Sequence, residues 1–463
     1  MKNLFVYLSC ALLAGMGTGC ASYQDKPLAT RPQFAETVEA LATVPPGQTG
    51  QTDPTSPARG AHRYDFAAGL DMTELATLAV INNPDLKLAR DDAGIAHAQA
   101  FSAGLLPDPQ LVLSRDLSNS GGPGSTMAFS VGLSYDVGAL LLRSNTRSAA
   151  DADAQKTDLN LLWQEWQVVS QARLLFVKLT ETKELAKVLE QERALDADRL
   201  AGSQAALERG LLTSDAVTQN MVALQDVQRQ INDLERQTNQ NTHDLNALLG
   251  LAPSAAVKFR ANDALPALDG AAIDALLPNL PQRRPDLLAL EAGYRAEDQR
   301  YRAALLAQFP ALNIGLTRTR DNTDTYSNGI GITLSLPILN RNQGNIAIEQ
   351  ATRQRLQDEY QQRLNASVSD LHRLLDEQRI NLRQLRDIDS DLAVLSHTVE
   401  QAGQAYRAHN VDAVSYANVR AVYLAKRIER INLQQGVLEQ RVALQTLLGG
   451  ELPVIKNNAD GKP

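Results

Sequence analysis

The chain is written twice. Asn82-Asn83-Pro84-Asp85-Leu86 returns as Arg283-Arg284-Pro285-Asp286-Leu287, 201 positions on. The same shift carries Leu105 to Leu306, Pro109 to Pro310, Leu111 to Leu312 and Leu133-Ser134 to Leu334-Ser335. Near the end of each copy DLNALLG (244–250) matches ALQTLLG (443–449), at a shift of 199. Whatever this chain folds into is built from two like halves. The first repeat spans 65–252 and the second 271–451; a Pro- and Gly-punctuated linker, 253–270, joins them, and 452–463 forms a tail.

Each repeat carries one stretch of period-two alternation, the pattern of a strand whose successive side chains leave opposite faces. Phe129, Val131, Leu133 and Tyr135 alternate with Ser130, Gly132 and Ser134; Ile330, Ile332, Leu334, Leu336 and Ile338 alternate with Gly331, Thr333 and Ser335. Ahead of them lie PQLVLSRDL (109–117) and PALNIGLTR (310–318), the latter alternating Leu312, Ile314 and Leu316 with small residues. The joining segments SNSGGPGST and RDNTDTYSN are turn chemistry. Two β-hairpins are expected, at 109–137 and 310–338.

The text around the hairpins is helical. From Arg143 to Arg209 and from Asn342 to Ala408, 67 residues pass without a proline. As continuous helix each would reach about 100 Å. RGLLTSD (209–215) and HNVDAVS (409–415) then reverse the chain. Val217, Leu224 and Ile231, with Val227 and Leu234, stagger by fours and threes on the return, as do Leu424, Ile428, Ile431, Leu438 and Val442. That is coiled-coil packing, so helical hairpins are expected at 143–250 and 342–449.

A net charge of −8 argues against a nucleic-acid surface. After residue 20 no run of 18 apolar residues marks a membrane helix. Residues 1–19 read as a signal peptide that ends in Thr18-Gly19-Cys20, and a cysteine at the cleavage point is similar to a lipoprotein box, which implies acylation of Cys20. Gly17 stands where such boxes carry Leu. Residues 20–64 then read as a lipid anchor and Pro-rich strap. Cys10 and Cys20 are the only cysteines, so the mature chain can close no disulfide within itself.

Four strands cannot close a barrel, and an open sheet edge has no place in a bilayer, where unpaired backbone groups find no water. Sharing one barrel among identical chains removes the edges: two chains give eight strands and a filled interior, three give twelve and an open lumen. The small-residue face suits a wet interior. The apolar face, with Phe129, Val131, Leu133, Tyr135, Leu312, Ile314, Ile330, Ile332, Leu334 and Leu336, suits lipid. Alternation alone would equally suit the inner face of a soluble sandwich.

The export signal, the duplicated hairpin-in-helices layout and the run LPILNRNQGNI (336–346) resemble the TolC-type outer-membrane factor family. NRNQGN (340–345) and YRAHNVDAVSYANVR (406–420) are most similar to the outer-membrane components of cobalt–zinc–cadmium-type exporters. The resemblance implies a mixed α/β membrane protein and a homotrimer. Its coiled-coil helices would form a periplasmic α-barrel below a 12-stranded β-barrel set in outer-membrane lipid. It also implies a periplasmic adaptor, an inner-membrane resistance-nodulation-division pump, a passive conduit for heavy-metal cations, and no cofactor. Multidrug or type I secretion channels are the neighbouring alternative, and a periplasmic scaffold lipoprotein the non-channel one.

Within that frame the helix reversals become tips that gate the tunnel or touch the adaptor. Gly210, Thr213, Ser214 and Asp215 form one; His409, Asn410 and Asp412 form the other, with His409 where the first repeat has its turn glycine. Asp215 and Asp412 could ring a constriction, or simply cap and begin helices. The histidines, His62, His97, His243, His372, His397 and His409, show no metal-ligand spacing. No nucleophile elbow or convergent acid–base pair suggests an enzyme. Trp163 and Trp166 fall too far into the helix for an interfacial belt, which Tyr135 fits better.

Overall fold

The computed structural model describes residues 22–43, 64–116, 127–260 and 270–449. The chain up to Ala35 forms one unit and Glu36 onward a second, which holds both repeats. The signal segment, Cys20 and His62 lie outside the described residues.

The first repeat runs α1 (Met72–Asn82), α2 (Pro84–Ala103), β1 (Gln110–Asp116), β2 (Ala128–Asp136), α3 (Val137–Glu208) and α4 (Ser214–Leu249). The second runs α5 (Gly270–Leu276), α6 (Leu280–Arg283), α7 (Pro285–Leu306), β3 (Ala311–Arg320), β4 (Tyr326–Ser335), α8 (Gln343–Arg407) and α9 (Ala413–Leu448). With 72 and 65 residues, α3 and α8 are each about 100 Å long.

The two repeat signatures turn out to be two halves of one contact. Pro84 and Pro285 open α2 and α7, where a missing N–H costs nothing. The Asn83 side chain accepts from Leu86 N (2.9 Å) and donates to the Leu248 carbonyl at the end of α4 (3.0 Å). In the second repeat Arg283 Nε donates to the Leu448 carbonyl (3.2 Å). Gly250 and Gly449 end these return helices with φ +68° and +73°, the left-handed cap that favours glycine. A Cβ on Gly449 would stand 3.0 Å from the Arg283 carbonyl oxygen, so the PDL start and the LLG end abut.

The long helix α3 is the spine. Its first half runs antiparallel to α2, through Arg90–Glu165 (3.0 Å) and His97–Asp158 (3.0 Å). Along the same half lies α7, which brings Arg284 over the Trp163 ring (5.2 Å) and Arg300 to Asp153. Trp163 and Trp166 therefore pack among helices. The second half of α3 meets both return helices: Leu189 packs on Val227 and Ile231 of α4, while Val188 and Leu195 pack on Ala417, Leu424 and Ile431 of α9. The seven-residue steps on both partners of the second seam are knobs-into-holes spacing. Part of the strap lies on this body: Ala42 exchanges two hydrogen bonds with the Asn82 side chain (2.8 and 2.9 Å).

The repeats leave their hairpins by different routes. Asp136 ends β2 and caps the next helix through Ala139 N (3.0 Å), so α3 starts at Val137, six residues before the expected Arg143. In the second repeat β4 stops at Ser335, because Pro337 has no N–H to extend the ladder. Leu336 and Ile338, expected on the strand, lie beyond it. Asn340–Asn345 is a built turn: Arg341 and Asn342 have φ +45° and +56°, and Asn342 Nδ2 reaches the Ala304 carbonyl (2.9 Å). The other end of β4 is longer than expected. The Asp321 carboxylate accepts from Thr323 N (2.8 Å) and Thr325 N (2.9 Å), which closes the turn in time for Tyr326 to begin the strand.

Candidate functional site: an open sheet and two helical tips

The four strands form one antiparallel sheet in the order β1-β2-β3-β4. Its register sorts the side chains by chemistry. Leu111–Leu133–Leu316–Ile330 is one row across all four strands, and Tyr135–Ile314–Ile332 and Leu312–Leu334 follow on the same face. The opposite face carries Ser114, Ser130, Gly132, Ser134, Asn313, Gly315, Thr317, Gly329, Gly331 and Thr333, with Val112 its one large apolar residue. The apolar side chains are not a core: Leu111 is 63% exposed, Ile330 77% and Ile332 65%. Among the described residues β1 and β4 have no second partner, so both outer edges are open.

At the far end of the helices the two tips share one backbone. After α3, Gly210 N bonds the Leu207 carbonyl (2.9 Å) and Leu211 N the Ala206 carbonyl (2.9 Å). After α8, His409 N bonds Tyr406 (3.0 Å) and Asn410 N bonds Ala405 (2.9 Å). Both are Schellman closures, with Gly210 at φ +71° and His409 at φ +60°. Their helix starts differ. Thr213 precedes α4 without a side-chain cap bond, whereas Asp412 accepts from Ser415 N (2.8 Å) and Ser415 Oγ (2.9 Å). Those two bonds hold the Asp412 carboxyl below its usual range. Asp412 is thus a cap, and Asp215 sits exposed in the first turn of α4, where the helix dipole favours a carboxylate. Tyr406 and Tyr416 stack across the second tip (5.2 Å), over Gly403, whose missing side chain leaves the Tyr416 ring 3.5 Å from where a Cβ would stand.

Between sheet and tips, α3 and α9 are tied by polar bonds that cross the repeats. Arg173 reaches Gln445, Gln434 reaches Glu181 (3.4 Å), Arg427 reaches Gln191 (3.1 Å) and Arg199 reaches Asn418 (3.0 Å). Each joins a charged group to a neutral amide, not a charge to a charge. Nearer the sheet, Glu297 of α7 is buried against Glu349 of α8, and its carboxyl is pushed up to about 7, by burial first and then by that neighbour. Arg300 bridges it (3.3 Å) to Asp153 of α3.

Residues 276–450 match the model of the family described as outer membrane efflux protein. The fold is shared with solved outer-membrane channels. CusC is 21% identical, with a TM-score of 0.66 over 84% of this chain and 95% of that one. The Campylobacter jejuni CmeC channel is 16% identical, with a TM-score of 0.67 over 83% and 87%. The open Neisseria gonorrhoeae MtrE channel is 16% identical, with a TM-score of 0.64 over 82% and 89%. No curated protein matches the chain in sequence. The second repeat of the chain is thus similar to the outer membrane efflux protein family, and the whole chain shares the fold of such channels.

In this chain the expected strand residues Phe129, Val131, Leu133, Tyr135, Leu312, Ile314, Ile330, Ile332 and Leu334 share one face of the sheet; Leu336 does not reach it. Gly210, Thr213, Ser214 and Asp215 gather at one tip, and His409, Asn410 and Asp412 at the other, all of them exposed. The matched family is described by efflux and not by catalysis. Among the described residues no cluster of His, Cys, Asp and Glu could hold a metal ion, and no helix is long and apolar enough to cross a membrane. Sequence reasoning missed the α3–α9 bonds, the Tyr406–Tyr416 stack and the Glu297–Glu349 pair. Partners more than 200 residues apart leave no local pattern. Tyr406 and Tyr416 flank the reversal symmetrically, and that spacing was the one available signal.

Proposed function

We propose that three copies of this chain close a 12-stranded barrel in the bacterial outer membrane, continued by their helices as a tunnel through the periplasm. The chain then acts as the passive exit conduit of a tripartite efflux system. It would meet a periplasmic adaptor and an inner-membrane resistance-nodulation-division pump. The observation that carries this reading is the sheet: two open edges, one face small and polar, the other apolar and exposed. A lone sheet of this kind is unstable in water and in lipid alike, and edge-to-edge closure satisfies both. Three copies give a lumen wide enough to conduct, as two do not.

The tips carry the adaptor contact, with Gly210 and His409 setting the turns and Asp412 the cap. Acylation of Cys20 adds a lipid anchor, which the barrel does not need in order to span the membrane. The cargo is heavy-metal cations, on the strength of NRNQGN and the second-tip sequence; a wide conduit passes ions without ligating them. A deletion strain tests this against cobalt, zinc, cadmium, copper and silver salts beside dyes, detergents and antibiotics. Selective metal sensitivity, restored by the intact gene, is expected. Sensitivity to organic compounds alone would keep the channel and replace its cargo.

A further inference from the structure

The apolar face of the sheet ends, on its loop side, in arginine. Register places Arg115, Phe129, Arg320 and Tyr326 in one row across the four strands, with Arg318 in the row beneath. With strands about 4.8 Å apart, Arg115 and Arg320 are separated by about 10 Å, and Arg318 lies about 7 Å along the strand from Arg320. The Arg318 and Arg320 guanidinium groups lie 5.7 and 5.8 Å from the centre of the Tyr326 ring, which gathers both over one patch. Asp324 neutralises Arg320 (2.6 Å), while among the described residues neither Arg115 nor Arg318 forms a salt bridge. The connecting segment 117–126 contains no acidic residue.

Three guanidinium groups, with Asn328 beside Arg318, on a face that is apolar below them need an explanation. Beneath the row that holds Arg318 and Asn328, the row Leu111–Leu133–Leu316–Ile330 is entirely apolar, so hydrocarbon reaches up to this edge. The row itself therefore stands where lipid tails give way to headgroups. There a planar guanidinium can pair a phosphate bidentately, and the amphipathic Tyr326 suits the same depth. The opposite, lumen-side ends of these strands carry Asp116 and Thr319, so the positive charge is confined to the outward face.

We propose that Arg318 and Arg320, gathered by Tyr326, and Arg115 across the same row bind the phosphates of outer-leaflet lipid headgroups, one site per chain. The proposal rests on the reading that this face meets lipid. Native mass spectrometry of the detergent-purified protein, incubated with bisphosphorylated lipid A or its dephosphorylated form, tests it. The wild-type trimer should retain the phosphorylated lipid. The triple variant Arg115→Gln/Arg318→Gln/Arg320→Gln should retain about tenfold less or lower still, at an unchanged trimer mass. Arg318→Gln alone, at an exposed side chain, should give a partial loss even where the triple variant fails to assemble. Equal retention by wild type and variants, or equal binding of the dephosphorylated lipid, would overturn the site. So would displacement of the lipid by millimolar inorganic phosphate, which would mark a free-anion site. A wild-type protein that holds no lipid of any kind, or no trimer, would instead locate the failure in the channel reading.

Discussion

The two repeats share a backbone and divide its chemistry. Both tips close with the same pair of hydrogen bonds and the same left-handed residue, yet one uses Gly210 and the other His409. Both long helices follow a hairpin. α3 starts directly from its strand on the Asp136 cap, while α8 waits for a turn with two left-handed residues. The second repeat alone has an aspartate cap and an aromatic stack at its tip, and it buries Glu297 where the first repeat has Ala96. Duplication preserved what the backbone demands and released the side chains wherever solvent or a neighbouring helix, and not the turn, sets the requirement.

The largest effects should fall where the repeats remain equivalent. Leu133→Asp in the first repeat and Leu334→Asp in the second put a carboxylate on the apolar face, at a cost on the order of 2 kcal/mol per chain, summed over three chains. Heat-modifiable trimer on a gel of outer membranes should vanish in both. Loss in one and normal assembly in the other would break the equivalence of the hairpins.

The next effect should be asymmetric. The raised Glu297 carboxyl binds its proton more tightly in the fold than in the unfolded chain. Its contribution is therefore fully present below the unfolded value of about 4.5 and is lost as pH rises through about 7. The loss reaches at most about 3 kcal/mol. Thermal melting followed by circular dichroism should show falling stability from about pH 5 to pH 8 in the native chain, and a flatter profile in Glu297→Gln. An unchanged slope would remove Glu297 from the account. Ala96 has no carboxyl at the equivalent position, although burial also raises Glu181 and Glu192 of the first repeat.

Smaller changes should separate the tips. Gly210→Ala should destabilise the first tip and His409→Gly should stabilise the second, each by about 1 kcal/mol. Like signs in melting experiments would mean that one of the two turns is not left-handed in solution. Last, Asp412→Ala should speed amide exchange at the start of α9 about fivefold, while Thr213→Ala leaves α4 unchanged, since Thr213 makes no cap bond.

The duplication, both hairpins, both long helices and the coiled-coil seams were legible because each repeats or alternates along the chain. Strand ends were not. Pro337 cut β4 at Ser335 and removed Leu336 and Ile338 from it, and the Asp321 turn admitted Tyr326 at the other end. His409 was visible only as a departure from Gly210. That it takes the same conformation depends on the helix end, not on the residue type. Which face of the sheet is greasy could be read from alternation. That this face stands uncovered by protein required the fold, because a sandwich strand has the same alternation. The α3–α9 bonds and the Arg115–Arg320 row depend on pairing between repeats.

The account stands on the closure of two open edges by further copies. Within one chain β1 and β4 are separated by β2 and β3, about 14 Å, too far for a disulfide. In a chain with Cys10 and Cys20 replaced by alanine, cysteine pairs would be scanned across registers, at Val112 or Ser114 on β1 and at Ser327, Gly329 or Gly331 on β4. At one register, oxidation of outer membranes should yield bands of two and three chains and nothing larger. Monomer at every register, or a ladder that runs on beyond three, would contradict a barrel shared by three copies.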